Sequence, residues 1–154
     1  MSFEPIRFPF FPLPEKPIKR PLVWLFLENL HDPDGEGFRY PALVDTGADC
    51  SAVPFSLCKH LGHVLEAGTS PSTIGGVGAG RVRTFKHATR ITVLSPSAGK
   101  WMPAVDDVVF SPIEFQLSFS EQELSCILLG QSDFLNLFEY AQNRSEGWFS
   151  LRQL

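Results

Sequence analysis

Between Ala42 and Asp49 the chain reads Ala-Leu-Val-Asp-Thr-Gly-Ala-Asp. A run of apolar residues ends in an Asp, and a Thr, a Gly and a small residue follow. This pattern describes a buried strand that delivers a carboxylate into a glycine-containing turn. Such an arrangement is costly to build for stability alone. An ionised carboxylate in an apolar setting must be hydrogen-bonded or share a proton. Asp45 is therefore the first candidate for chemistry. Asp-Thr-Gly occurs only here, and Asp-Ser-Gly does not occur at all.

The rest of the composition suits one ordinary domain. The chain has 154 residues, is 44% hydrophobic and holds 14 Phe, which is enough for a real core. Charged residues make up 19% and the formal net charge is -4, with no basic stripe, so nucleic acid is not an expected partner. The longest apolar run, Leu22 to Leu27, is far short of the roughly 20 residues a membrane span requires. Met1-Ser2-Phe3-Glu4-Pro5 lacks the basic and apolar regions of a signal peptide, so the expected location is cytoplasmic. Cys50, Cys58 and Cys126 cannot all pair internally and are expected as free thiols.

Along the chain, Pro5, Pro9, Pro12, Pro14 and Pro17 with Phe3, Phe8, Phe10 and Phe11 define a Pro/Phe-rich arm over residues 1–20. The arm is either a disordered leader or a segment laid on its own domain or on a partner. Residues 21–154 form the expected domain. Strands are expected over 21–28 and 38–44, joined as a hairpin through Asp32-Pro33-Asp34-Gly35. A short helix over 54–61 has Pro at its first position and Gly62 past its end. Residues 72–80 are glycine-rich. Two strands over 81–94 and 101–110 flank a turn at 95–99, while 111–125 has no clear pattern. A short strand over 126–129 ends at Gly130. Ser132 or Asp133 can cap a helix reaching about Gln142. Residues 148–151 close the chain as a last strand. Many short strands with two short helices suggest a small, mostly-β barrel.

The segment Leu43 to Pro54, Leu-Val-Asp-Thr-Gly-Ala-Asp-Cys-Ser-Ala-Val-Pro, resembles the active-site segment of retropepsins, the retroviral-type aspartic proteases. Ile74-Gly75-Gly76-Val77-Gly78 is similar to the flap tip of that family. Ile127-Leu128-Leu129-Gly130-Gln131 is similar to its second signature, which a short C-terminal helix follows. The three segments occur in the right order over about residues 21–140, in the style of single-domain bacterial members.

The resemblance implies a closed β-barrel with a short C-terminal helix, and a homodimeric aspartic endopeptidase acting on peptide or protein substrates without metal or cofactor. Asp45, Thr46 and Gly47 would be catalytic. Ala48 and Asp49, with Ile74, Gly75, Gly76, Val77 and Gly78 of the flap, would bind substrate. Thr46 would hydrogen-bond across to its counterpart. Retropepsins usually carry an Arg after the second-motif Gly, supporting the acidic residue that corresponds to Asp49. Here that position is Gln131, so either another cation pairs with Asp49, with Arg144 and Arg152 as candidates, or the dimer contacts differ. An alternative from another class is a dimerisation or peptide-binding module that keeps the fold with little or no turnover.

Other candidates are weaker. Gly75 to Gly80 lacks the Lys-Ser/Thr and the helix of a phosphate loop. Cys58, His60 and His63 crowd one helix end without a second cysteine pair, which suits packing better than metal binding. Asp106 and Asp107 would alternate faces of a strand and could not act as one pair.

Overall fold

A computed structural model describes residues 4–77, 80–96 and 102–154. The strands are β1 (Ile6–Pro9), β2 (Leu22–Asn29), β3 (Phe38–Val44), β4 (Thr69–Val77), β5 (Gly80–Val93), β6 (Ile113–Ser120), β7 (Ile127–Leu129), β8 (Phe138–Asn143) and β9 (Trp148–Gln153). One helix, α1 (Phe55–His60), and two 3-10 turns, Leu65–Ala67 and Leu135–Leu137, complete the described elements.

The fold grows from the β2–β3 hairpin, which pairs Leu22 with Leu43 and Leu27 with Phe38. β2 is apolar along most of its length because both its faces are covered. β5 flanks β2 on one side and β7 runs parallel to β3 on the other, giving the order β4-β5-β2-β3-β7. β5 is the long member. Residues Thr89 to Val93 pair with β2, whereas Gly80 to Lys86 pair with β4. Thr84 to Ile91 of β5 also pair with β6. Only from Thr84 towards Gly80 does the β4–β5 hairpin extend beyond the β5–β6 pairing. Leu25, Leu27, Ile91, Phe119, Phe134 and Phe149 anchor the core.

A second sheet has the order β1-β9-β8. β1 of the N-terminal arm pairs with β9, and Phe8 is buried with its ring stacked 5.1 Å from that of Phe149. Phe10 lies against the same ring, with its amide donating to the Gly147 carbonyl. Burying Phe8 is worth ~1.5–3 kcal/mol, and the partly buried Phe10 adds to it.

Three expectations are corrected. The barrel does not close strand to strand. β4 and β7 are the ends of the larger sheet, and among the described residues the gap from β7 to β6 is crossed by single bridges at Ala52 and Val53. The short C-terminal helix over 132–142 is absent. Asp133 does not cap a helix because its carboxylate is taken by Ser51. Only the Leu135–Leu137 turn forms, and then Phe138 to Asn143 run extended against β9. The Asn143–Gly147 turn makes that pairing possible, with Gly147 at φ 74° and its amide donating to the Asn143 carbonyl.

The strand expected over 101–110 is also absent among the described residues, apart from a bridge between Leu94 and Val108. The Asp107 carboxylate accepts the Ala104 amide, and this local bond holds the segment as a turn. The partner of β5 is instead β6, in the stretch that lacks a clear pattern in sequence. The α1 expectation holds: Gly62 sits past the helix at φ 79°, its amide donating to the Lys59 carbonyl.

Candidate active site

Asp45 follows directly on the last residue of β3, where Val44 pairs with Leu129 of β7. Its amide donates to the Leu129 carbonyl at 3.0 Å, which ties the start of the loop to β7. The chain then turns, with the Ala48 amide donating to the Asp45 carbonyl. The Gly47 amide donates to Asp45 Oδ1 at 3.0 Å. Gly47 thus brings a backbone donor close to the carboxylate. A Cβ at Gly47 would lie 3.3 Å from Asp45 Oδ1, a tight but not impossible approach.

A second loop, residues 130–133, is fastened against this one. The Gln131 and Ser132 amides donate to the Ala48 and Asp49 carbonyls, at 2.9 and 2.8 Å. Ser132 Oγ also donates to the Asp49 carbonyl. Gln131 Nε2 donates to the Thr46 carbonyl at 2.7 Å. Beneath them, the Asp133 carboxylate accepts the Ser51 amide at 3.0 and 3.1 Å and the Ser51 hydroxyl at 2.6 Å. Ser51 is fully buried, and its Oγ in turn accepts the Gly130 amide at 3.0 Å. The loops cross so closely that a Cβ on Gly130 would meet the Cys50 backbone at 2.4 to 2.7 Å. Only glycine fits there. The carboxylate loop is thus fixed from beneath by bonds that involve no part of Asp45 itself.

Asp45 and Thr46 open onto a groove of about 340 Å³, lined also by Lys19, Arg20, Tyr140, Gln142 and Arg144. Burial pushes the Tyr140 phenol up, opposed by the Arg144 charge, so it stays a neutral donor, and its hydroxyl bonds Gln142 Oε1. Cys50 is not a competing nucleophile. Burial raises its thiol, and the Asp133 and Asp49 charges raise it further, so little thiolate forms at neutral pH.

The expected partners of Asp49 are corrected. Arg152 is paired with Glu139 across β8 and β9, and Arg144 lines the Asp45 groove. Among the described residues no cation pairs with the Asp49 carboxylate. Gln131 stabilises the loop through a carbonyl rather than through a charge.

The five loop positions, Asp45 to Asp49, stand together by chain continuity. The glycine-rich segment stands apart from them. Ile74 pairs with Val82, and the backbone of Gly75, Gly76 and Val77 completes β4, with Val77 opposite Gly80. Two strands, β5 and β2, separate β4 from β3 in the sheet, and among the described residues no backbone hydrogen bond joins β4 to the Asp45 loop. Gly78 lies outside the described residues. Sequence reasoning missed Ser51 and Asp133. No local signal marks them, because they stand 82 positions apart.

No protein-family model matches the chain, and no curated protein matches it. Among solved structures, the chain is similar to a retropepsin-like aspartic protease from Rickettsia conorii. The identity is 15%, with 98% of this chain and 94% of the other covered, and the TM-score is 0.48. Among the described residues no helix is long and apolar enough to cross a membrane.

Proposed function

We propose that the chain is an aspartic endopeptidase that works as a homodimer, with Asp45 of each copy supplying one carboxylate of the catalytic pair. The observation that carries this reading is Asp45 itself: one Asp-Thr-Gly carboxylate per chain, at the end of the half-buried strand β3, held by a loop amide and opening onto a groove. One carboxylate is half of the machinery. Two carboxylates about 3 Å apart share a proton because both cannot ionise together. One then acts as general base on a water, and the other protonates the scissile carbonyl oxygen. A two-fold dimer is the simplest way for one chain to meet that need.

In this reading Thr46 meets its counterpart across the dimer axis, and Ala48 and Asp49 line the peptide groove. Gly75, Gly76 and Val77, with Ile74 and Gly78 beside them, form the cover that excludes water from the reaction. Rate should be highest below neutral pH, since the shared proton must be retained, and the apparent pKa values belong to the dimer. A second reading, peptide binding with little turnover, draws on Gln131 and on the lack, among the described residues, of a cation paired with Asp49.

The test is a mixing experiment. Specific activity on a peptide library should fall on dilution, by mass action. Excess Asp45→Asn chain, equilibrated with wild type, should suppress activity further, because mixed dimers hold one carboxylate and one amide. Activity proportional to concentration where light scattering shows only monomer would exclude a shared site. Binding of a statine-containing peptide without any cleavage would favour the second reading.

A further inference from the structure

His63 and His87 form a buried pair away from the candidate active site. His63 follows α1, and His87 sits on β5 opposite Leu117 of β6, next to the Lys86–Thr69 pair where β4 begins. Their residues are 9% and 8% exposed. The rings stack with centroids 4.5 Å apart, and both meet the Phe119 ring of β6 edge-on. His87 Nε2 donates to the Leu65 carbonyl at 3.0 Å. His63 Nε2 is buried with no hydrogen-bond partner. Directly above, Gly68 leads into β4, so close that a Cβ there would lie 2.8 Å from His87 Nε2 and 2.7 Å from the Lys86 carbonyl. The segment from His63 to Gly68 is thus seated on two imidazole rings.

The stack suits neutral rings only. The neighbouring elements offer charge of both signs but no counter-ion. The β2–β3 turn carries His31 and Asp32, α1 carries Cys58, Lys59 and His60, the 3-10 turn carries Glu66, and β5 carries Lys86. Among the described residues no carboxylate forms an ion pair with either ring. Burial, and then the charges of His87 and His31, hold His63 down at about 4. Burial also lowers His87, partly offset by its bond to the Leu65 carbonyl.

We propose that the His63–His87 stack is an acid-opened latch at the root of β4: protonating the rings unseats residues 63–68 and loosens the start of β4 from β5. The sign follows from linkage. A histidine held low in the closed form is protonated more readily once exposed. Closure is therefore fully favoured above the ordinary histidine range and is lost as pH falls from about 6.5 towards 4. The latch acts on the segment that carries Ile74 to Val77, so it sets the mobility of that segment whether or not the chain cleaves peptides.

Amide hydrogen exchange on the whole chain tests this without substrate. The amides of His63, Ala67 and Gly68 donate to the Cys58, Val64 and Leu65 carbonyls and report seating of the segment. Corrected for intrinsic rates, their protection should fall on the order of tenfold between pH 7 and pH 5. Leu25 and Leu27 of β2 should keep theirs. His63→Phe, a ring of similar shape that cannot titrate, should flatten the fall. If all protection falls together, the event is global and the latch is excluded. Constant protection at 63–68 in the wild type would exclude it as well, whatever the variant does.

Discussion

Ser51 and Asp133 hold the candidate active site although neither resembles a catalytic residue. The Asp133 carboxylate takes two donors from Ser51, and the Ser51 hydroxyl passes a bond on to Gly130. Removing the hydroxyl leaves the Gly130 amide buried without its acceptor. An orphaned buried donor costs about 1–3 kcal/mol. Ser51→Ala should therefore lower the unfolding free energy, read from the shift in denaturant midpoint, by about that much, with peptidase activity falling more than stability because the Asp45 loop loses its footing. Asp45→Asn should leave the midpoint unchanged or raised, since the fold does not lean on that side chain. Equal midpoints for wild type and Ser51→Ala would mean that the clamp bears no weight.

At the scale of elements, the site depends on a crossing. β3 and β7 run parallel for three residue pairs, and their following loops pass within van der Waals limits at Gly130 and Cys50. Gly130→Ala would drive a methyl group into backbone that cannot step aside. Overpacking of this kind costs about 1–3 kcal/mol. The loops should separate, and amide chemical shifts of residues 45–51 should move while those of β8 and β9 stay in place. Shifts confined to residues 129–131 would show that the crossing has slack. The same scale shows why a helix after Asp133 fails: its cap is used elsewhere, and Phe138 and Tyr140 gain more from pairing with β9 than from a short helix near its nucleation limit.

For the molecule as a whole, the N-terminal arm is structural. Phe8 is buried on Phe149, and β1 covers one edge of β9. Phe8→Ala should cost about 3–5 kcal/mol, the usual range for a buried Phe. Calorimetry would detect that as a clear loss in Tm, and a loss within error would mean that the arm detaches freely.

What could be read without coordinates is what local chemistry enforces. The strand over 38–44 has the bounds of β3 because the apolar run ends at a charged turn. The α1 helix is legible from a proline at its start and a glycine past its end. Asp45 stands out because a carboxylate after a buried strand needs a reason. Tertiary structure alone decided the acceptor role of Asp133, the choice of β6 over residues 101–110 as partner of β5, and the strand at 138–143. For Asp133 and for β6 the partner lies far away in the chain, whereas residues 138–143 pair with the adjacent β9 through the Gly147 turn. In each case the partner competes with a plausible local arrangement, and the sequence pattern does not rank the two.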